Sequence, residues 1–452
     1  RFLTLPRIET SLMKLRKSIF GISCVLFGMM LLSGCQKQTK MTLPPVSHKT
    51  LTAMVISDDH VIAPSLHDNG KAFTQYAAND AGADLKYSAT IFRAFIAKAL
   101  ITKPDVVLIS GDITNNGEKA SHEYVAKQLR RLTAKHIRVY VVPGNHDLNN
   151  PIARRFKGKH QYSTEATSPT QFKKIYHQAG YGQASETDPS SLGYLVKPSK
   201  HTWFLMLNSA IYKSNYQQGN STVGGGLTDG TLQWLTKVGK QAKQAHATLI
   251  PVLHHNTMDH TVIHQDYTIG YAEDVRKAFT TAGIKLSLSG HIHAQNIKST
   301  KVKNQSLTDI ASGALILGSH YYGTLKINQS NGTATYHATP LNVSAYIKHH
   351  RGNKAMRAYQ KYDHDVLYAA GYNAALSQLY EDRDETQLSS AKVNQLARGM
   401  AAANIALFRG TPVKNSAAIQ AWQQMPHNTS LRGFVLATKK LHGNVTWSGS
   451  VQ

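Results

Sequence analysis

Five short motifs limit what this chain can fold into. They are Asp58-Asp59-His60, Gly111-Asp112, Gly144-Asn145-His146-Asp147, His254-His255 and Gly290-His291-Ile292-His293. Each follows a run of β-type apolar residues: MVIS, VVLIS, VYVVP, LIPVL and KLSLS. Five strands therefore each deliver carboxylate, amide or imidazole groups at their C-terminal ends, and in open α/β sheets that edge is where ligands bind. Between the first three runs lie the helical patterns LKYSATIFRAFIAKAL and HEYVAKQLRRLTAKH. Strands alternating with helices predict an α/β layer arrangement.

The donors are those that divalent ions take from proteins. Two ions about 3.5–4 Å apart, sharing a carboxylate, can activate water and neutralise phosphoryl charge. Asp112 is the candidate for the shared carboxylate. Asp58 and His60 stand two residues apart, as do His291 and His293. Strand alternation would turn each pair to one side and Asp59 and Ile292 away. Plain readings also exist: Asp112 as a loop cap, and Asn145 as a turn residue.

The order D-x-H, G-D, G-N-H-D, H and G-H-x-H resembles the calcineurin-like metallophosphoesterase family, over about residues 50 to 340. The resemblance implies a four-layered α/β/β/α sandwich. It assigns Asp58, His60 and His293 to one metal, with Asp112 shared, and Asn145, His254 and His291 to the second. It makes His146 the phosphate stabiliser and proton donor, with Asp147 orienting its ring; a third imidazole ligand is the other reading of His146. His255 is left outside the ligand set, and remaining histidines such as His349 and His350 are read as surface residues. The cofactors implied are two divalent metal ions, drawn from Mn²⁺, Fe²⁺, Zn²⁺ and Co²⁺. Purple acid phosphatases place a tyrosine three residues after the bridging aspartate; Asn115 stands there, which argues against an iron–tyrosinate centre.

The N-terminus suggests a setting. Met13 is followed by Lys14, Arg16 and Lys17, then by an apolar run from Ile19 to Leu32. That is the pattern of an export signal, too short for a membrane span. It ends in Leu32-Ser33-Gly34-Cys35, which resembles the bacterial lipobox, so Cys35 is read as a lipid anchor on the outer face of the cell membrane. Residues 1–12 precede Met13 and are read as an upstream translation artefact. The only other cysteine, Cys24, would leave with the signal, so disulfides and thiolate metal sites are excluded. The net charge of +25 becomes +21 once Arg1, Arg7, Glu9, Lys14, Arg16 and Lys17 are removed. The basic residues are scattered, so the charge points to anionic envelope polymers or substrates rather than a specific nucleic-acid partner.

At 452 residues, two domains are the natural expectation. The segments read as a signal (1–35), a tether (36–49), the metallophosphoesterase domain (50–343) and a small all-α C-terminal domain (344–452). Polar stretches at 158–192 and 217–230 read as excursions over the strand ends. The C-terminal domain is read from RAYQKYDHDVLYAAGYNAALSQLY, SAKVNQLARGMAAANIALF, SAAIQAWQQM and LRGFVLATKKL, whose apolar residues recur at helical spacing. A helical tail on a lipoprotein resembles the cyclic nucleotide phosphodiesterase-like branch, which implies a small phosphodiester substrate. A cell-surface phosphomonoesterase or nucleotidase is the second reading, and a catalytically silent surface-binding lipoprotein the third.

Overall fold

Alternation along TLTAMVI buries both faces of the first strand, because Met54 and Ile56 join one core while Leu51, Ala53 and Val55 join another. A strand buried on both sides has to lie inside a layered sandwich. The computed structural model describes residues 43–79, 82–261, 264–381, 388–426, 431–441 and 444–452. The expected export segment, Cys35 and the start of the tether lie outside the described residues.

The strands fall into two large sheets and a hairpin. In chain order they are β1 (Thr50–Ile56), β2 (Val106–Ile109), β3 (Arg138–Val141), β4 (Arg154–Lys157), β5 (His160–Ser163), β6 (Glu186–Thr187), β7 (Tyr194–Val196) and β8 (Thr202–Met206). There follow β9 (Thr248–Val252), β10 (Leu286–Ser289), β11 (Asn296–Val302), β12 (Gln305–Ala311), β13 (Tyr321–Asn328), β14 (Thr333–Pro340) and β15 (Thr446–Ser450). The first sheet runs β15-β14-β13-β1-β2-β3 and the second β11-β12-β10-β9-β8-β7-β6, while β4 and β5 pair alone. Strands β1, β2 and β3 are mutually parallel, as are β8, β9, β10 and β12.

The sheets pack face to face through Leu108, Val142, Phe204, Ile250, Leu288 and their neighbours. Helices Ser88–Thr102 and Lys119–Thr133 cover the outer face of the first sheet with Phe92, Phe95, Val125 and Leu129. Helices Asp229–Gln244 and Ala272–Thr281 cover the second with Trp234, Leu235, Val238 and Phe279. The α/β/β/α order is therefore present. The stretch at 158–192 is more ordered than a bare excursion. It holds β5 and helix Pro169–Ile175, started by a reciprocal capping pair of Ser168 and Gln171.

The C-terminal part is helical as expected: Val343–Glu381, bent at Gly352, then Ser390–Phe408, Ala417–Gln423 and Arg432–Ala437. These helices gather a core of their own around Trp422, whose indole N–H donates to Leu396 O at 2.8 Å. Two features differ from a separate all-α domain over 344–452. Ile347, Tyr359 and Leu367 of the first helix are part of the main core, and the chain returns as β15 to pair with β14. The segment TWSGS is too short and too poor in apolar periodicity to announce itself as a strand; pairing with an open sheet edge makes it one.

Candidate metal centre

All five motifs arrive at one place because β1, β2, β3, β9 and β10 end side by side across the tops of the two sheets. The backbone ladder of the first sheet continues past the strand ends: Asp58 N donates to Gly111 O at 3.1 Å and His60 N to Asp112 O at 3.0 Å. The ladder of the second sheet continues likewise, with Gly290 N donating to His254 O at 2.9 Å, and His291 N ties it to the first by donating to Asp58 Oδ2 at 3.0 Å. Two motif glycines permit the approach. A Cβ on Gly144 would lie 2.2 Å from Asp112 Oδ1, and one on Gly290 would lie 1.8 Å from Ser57 Oγ.

The side chains form two groups that share Asp112. Asp58, His60, Asp112 and His293 present donor atoms to one point, and Asp112, His254 and His291 to another. In the first group His60 Nε2 lies 3.2 Å from His293 Nε2, and His293 Nε2 lies 3.5 Å from Asp58 Oδ1. In the second, His254 Nε2 lies 3.0 Å from Asn145 Oδ1 and 3.1 Å from His291 Nδ1. Asp112 Oδ2 stands 3.7 Å from His60 Nε2 and 3.2 Å from His254 Nε2. All seven expected ligands are thus brought together, with the shared carboxylate between them.

The hydrogen bonds behind the rings decide what the fronts can do. His254 Nδ1 faces Ser110 O at 2.9 Å and His291 Nε2 faces Asp266 O at 3.1 Å, so both of these nitrogens donate. With its second proton removed, His254 carries on Nε2 a lone pair aimed at the oxygens of Asn145 and Asp112, and His291 carries one on Nδ1 aimed toward His254 Nε2. Such acceptors crowd together only around positive charge. An ion bonded at about 2.0–2.2 Å sets its ligand atoms roughly 2.8–3.6 Å apart, close to these spacings. Ring N–H groups held by backbone carbonyls are the usual support of metal-binding histidines. The donor set therefore fits two divalent ions.

Electrostatics give the same answer. Burial would push Asp112 up, but His254, His146 and His60 outweigh it and hold the carboxyl well below its usual range. Burial would also lower His254, yet Asp112 and Asp58 raise it to about 9. Burial drives His60 and His291 well below the ordinary imidazole value, and His255 to about 3. The centre attracts positive charge at the shared carboxylate and keeps its outer imidazoles neutral.

Strand alternation is not what pairs Asp58 with His60 or His291 with His293. These four residues and Asp112 all have left-handed backbone, with φ of 54°, 39°, 70°, 57° and 46°. The ligands lie past the strand ends in tight loops, each such residue costing about 1–3 kcal/mol. Asp and His tolerate this conformation better than most residues.

His146 is half-buried, its ring 5.0 Å from that of His60. Its Nδ1 donates to Asn115 O at 2.8 Å, with Asn116 Oδ1 at 3.2 Å. Nε2 is left for a ligand. The expectation that Asp147 orients this ring is corrected: the Asp147 carboxylate accepts from the backbone N–H groups of Ile113, Thr114 and Gly144 and from the Thr114 hydroxyl. It is a staple between the Gly111-Asp112 and Gly144-Asn145 loops.

His255 is a supporting residue, as expected. Its nitrogens meet Ser209 Oγ and Val223 O, each at 2.9 Å, and its ring packs 4.4 Å from His291. His349 and His350 are exposed, but His122, His260 and His320 are buried, against the surface reading of the remaining histidines. Asn115 and Asn116 as the partners of His146 carried no signal in the sequence beyond their place after Asp112.

The calcineurin-like phosphoesterase family matches residues 51–295, and the chain belongs to that family. Among solved structures it is similar to a dimetal phosphatase from Danio rerio, with 13% identity, a TM-score of 0.46, and coverage of 64% of this chain and 95% of that one. A second solved chain gives 9% identity and a TM-score of 0.37, over 65% of this chain and 100% of that one. No curated protein matches the chain.

Proposed function

We propose that the protein is a metal-dependent phosphodiesterase acting on small diesters, cyclic nucleotides first among them, at the outer face of a cell membrane. The observation that carries this reading is the pair of donor groups sharing Asp112, with half-buried His146 beside them. Asp58, His60, Asp112 and His293 would hold one ion, and Asp112, Asn145, His254 and His291 the other. Such ions supply an acidified water and positive charge opposite the phosphoryl oxygens. Hydrolysis forms one P–O bond from water and breaks the ester bond; His146 Nε2 is placed to give the leaving oxygen its proton. The Asn115 carbonyl fixes the ring for that transfer.

One feature favours a substrate with a group beyond the phosphate, as a small diester has. A cleft of about 460 Å³ lies next to the centre, lined by Ala210, Ile211, Tyr212, Gly225 and Tyr271. It is of small-ligand size. Gly225 is the shared wall, since a Cβ there would lie 2.2 Å from His255 Nδ1. Tyr271 is 88% exposed and offers a ring face to a base.

The test uses the full chain reconstituted with Mn²⁺, comparing bis-p-nitrophenyl phosphate with p-nitrophenyl phosphate, then 2′,3′- with 3′,5′-cyclic nucleotides. Preference for the diester with cyclic nucleotide turnover supports the reading; preference for the monoester rejects it in favour of a phosphatase. Anchoring through Cys35 rests on the lipobox-like sequence. Fatty-acid labelling that persists in Cys35→Ser would refute it.

A further inference from the structure

A second cluster of donors lies away from the strand-end centre, where the C-terminal helices meet the sandwich. Asp84, His320 and Asp363 each present a ligand atom there, all within 4.8 Å of one another. Asp84 comes from the turn before Leu85–Tyr87, His320 from the residue before β13, and Asp363 from the helix Val343–Glu381. Three distant parts of the chain thus meet at one point.

The carboxylates are placed as no solvated acidic cluster would be. The Asp84 side chain is 1% exposed and His320 4%. Neither oxygen of Asp84, nor Oδ1 of Asp363, has a hydrogen-bond donor. A buried carboxylate without donors is strongly unfavourable unless something positive, or a proton, sits against it. His320 Nε2 stands 3.5 Å from both Asp84 Oδ2 and Asp363 Oδ1, close to the spacing an ion imposes on its ligands. His320 Nδ1 faces the Leu315 carbonyl at 2.8 Å and donates to it, so Nε2 carries the lone pair. The Tyr359 hydroxyl donates to that lone pair; an ion taking its place would turn the hydroxyl proton away and meet the Tyr359 oxygen as a fourth donor.

We propose that Asp84, His320 and Asp363, with the Tyr359 oxygen beside them, bind a further divalent cation. One imidazole with two carboxylates suits Mn²⁺, Fe²⁺ or Zn²⁺. The ion pins the first C-terminal helix to the sandwich. It also braces the 312–320 loop, whose backbone N–H groups at Ala314, Leu315 and Ile316 donate to the carbonyls of His293, Ser57 and Asp58. The site is a positioning device for half of the strand-end centre and takes no part in chemistry.

Metal counting on the purified full chain tests this. The protein is stripped, reloaded with Mn²⁺ or Zn²⁺, freed of excess and measured by mass spectrometry of the elements. Wild type is expected to hold three equivalents, Asp363→Asn two, and Asp112→Ala one. Asp363 is the milder site to change, being part-exposed on a helix surface; Asp84→Asn is the second variant. Mn²⁺ should raise the Tm of Asp112→Ala and lose that effect when Asp363→Asn is added. Two equivalents in wild type, unchanged by Asp363→Asn and Asp84→Asn, would overturn the proposal in favour of a shared proton. One equivalent in wild type, lost with Asp363→Asn, would uphold this site while rejecting the strand-end centre.

Discussion

The strand-end centre and the Asp84–His320–Asp363 cluster use the same donor types, yet the chain assembles them in different ways. At the strand ends the ligands come in short blocks, each tied to the strand before it, so adjacency in sequence becomes adjacency in space. Under the C-terminal helix each ligand is a single residue from a separate element, and only the packing of that helix onto the sandwich brings them together. Both places strain the backbone: His320, like five of the strand-end ligands, has positive φ, here 47°. The difference is in what each holds in position. The first gathers reactive groups around an open face marked by His146 and His293, whereas the second joins buried segments that support the first. A chemical centre and a structural clasp should therefore fail differently.

The largest expected effect is at the shared carboxylate. Asp112→Ala should remove both strand-end ions and lower kcat/KM at least about a thousandfold, the scale of losing a principal electrostatic group. Metal analysis and diester turnover check it together. A variant that keeps both ions would break the view of Asp112 as the common ligand. His146→Ala comes next, with ions retained and kcat reduced about 10²–10⁴-fold, as for loss of a general acid. The deficit should be greatest for esters with poor leaving groups. Equal loss on good and poor leaving groups would turn His146 from proton donor into phosphate stabiliser alone.

Asp147 sharpens the line between a residue that is visible in sequence and a role that is not. The motif Gly144-Asn145-His146-Asp147 pointed to it, but as a partner of His146. In the folded chain its carboxylate meets three backbone N–H groups and a hydroxyl from two loops. Asp147→Asn should therefore weaken Mn²⁺ affinity and activity by about 10–100-fold, as losses of ligand-supporting groups do. A partner of the His146 ring would instead shift the leaving-group dependence and spare metal affinity.

The same contrast explains how much could be read from sequence. An α/β layer arrangement was legible because strand and helical periodicity agree, and the four-layered α/β/β/α order was implied by the resemblance to the metallophosphoesterase family. The five motifs at strand ends could be read from the residues, while the set of seven ligands among them came from that same resemblance. The left-handed geometry at Asp58, His60, Asp112, His291 and His293 was not legible, because alternation is a property of strands and these residues lie beyond them. The return of Thr446–Ser450 to the first sheet was also hidden, since its pairing partner lies more than 100 residues earlier in the chain. His320 was read with the remaining histidines as a surface residue, and nothing singled out Asp363: no local feature marks a side chain that a distant element will cover.

The smallest expected effect on turnover belongs to the clasp. With Mn²⁺ saturating, Asp363→Asn should lower kcat by less than about tenfold, within the range for ligand-supporting groups, and act mainly on stability. The reason is geometric: the bonds from Ala314, Leu315 and Ile316 to the backbone of His293, Ser57 and Asp58 belong to the 312–320 loop itself and survive the change. What is lost is the anchor at the loop's far end, so the apparent affinity for the ion held by Asp58 and His293 should fall more than kcat does. Titrating activity against Mn²⁺ separates the two. A loss of kcat as large as that of Asp112→Ala, with Mn²⁺ saturating, would mean that the cluster belongs to the chemistry and that the two regions are one site.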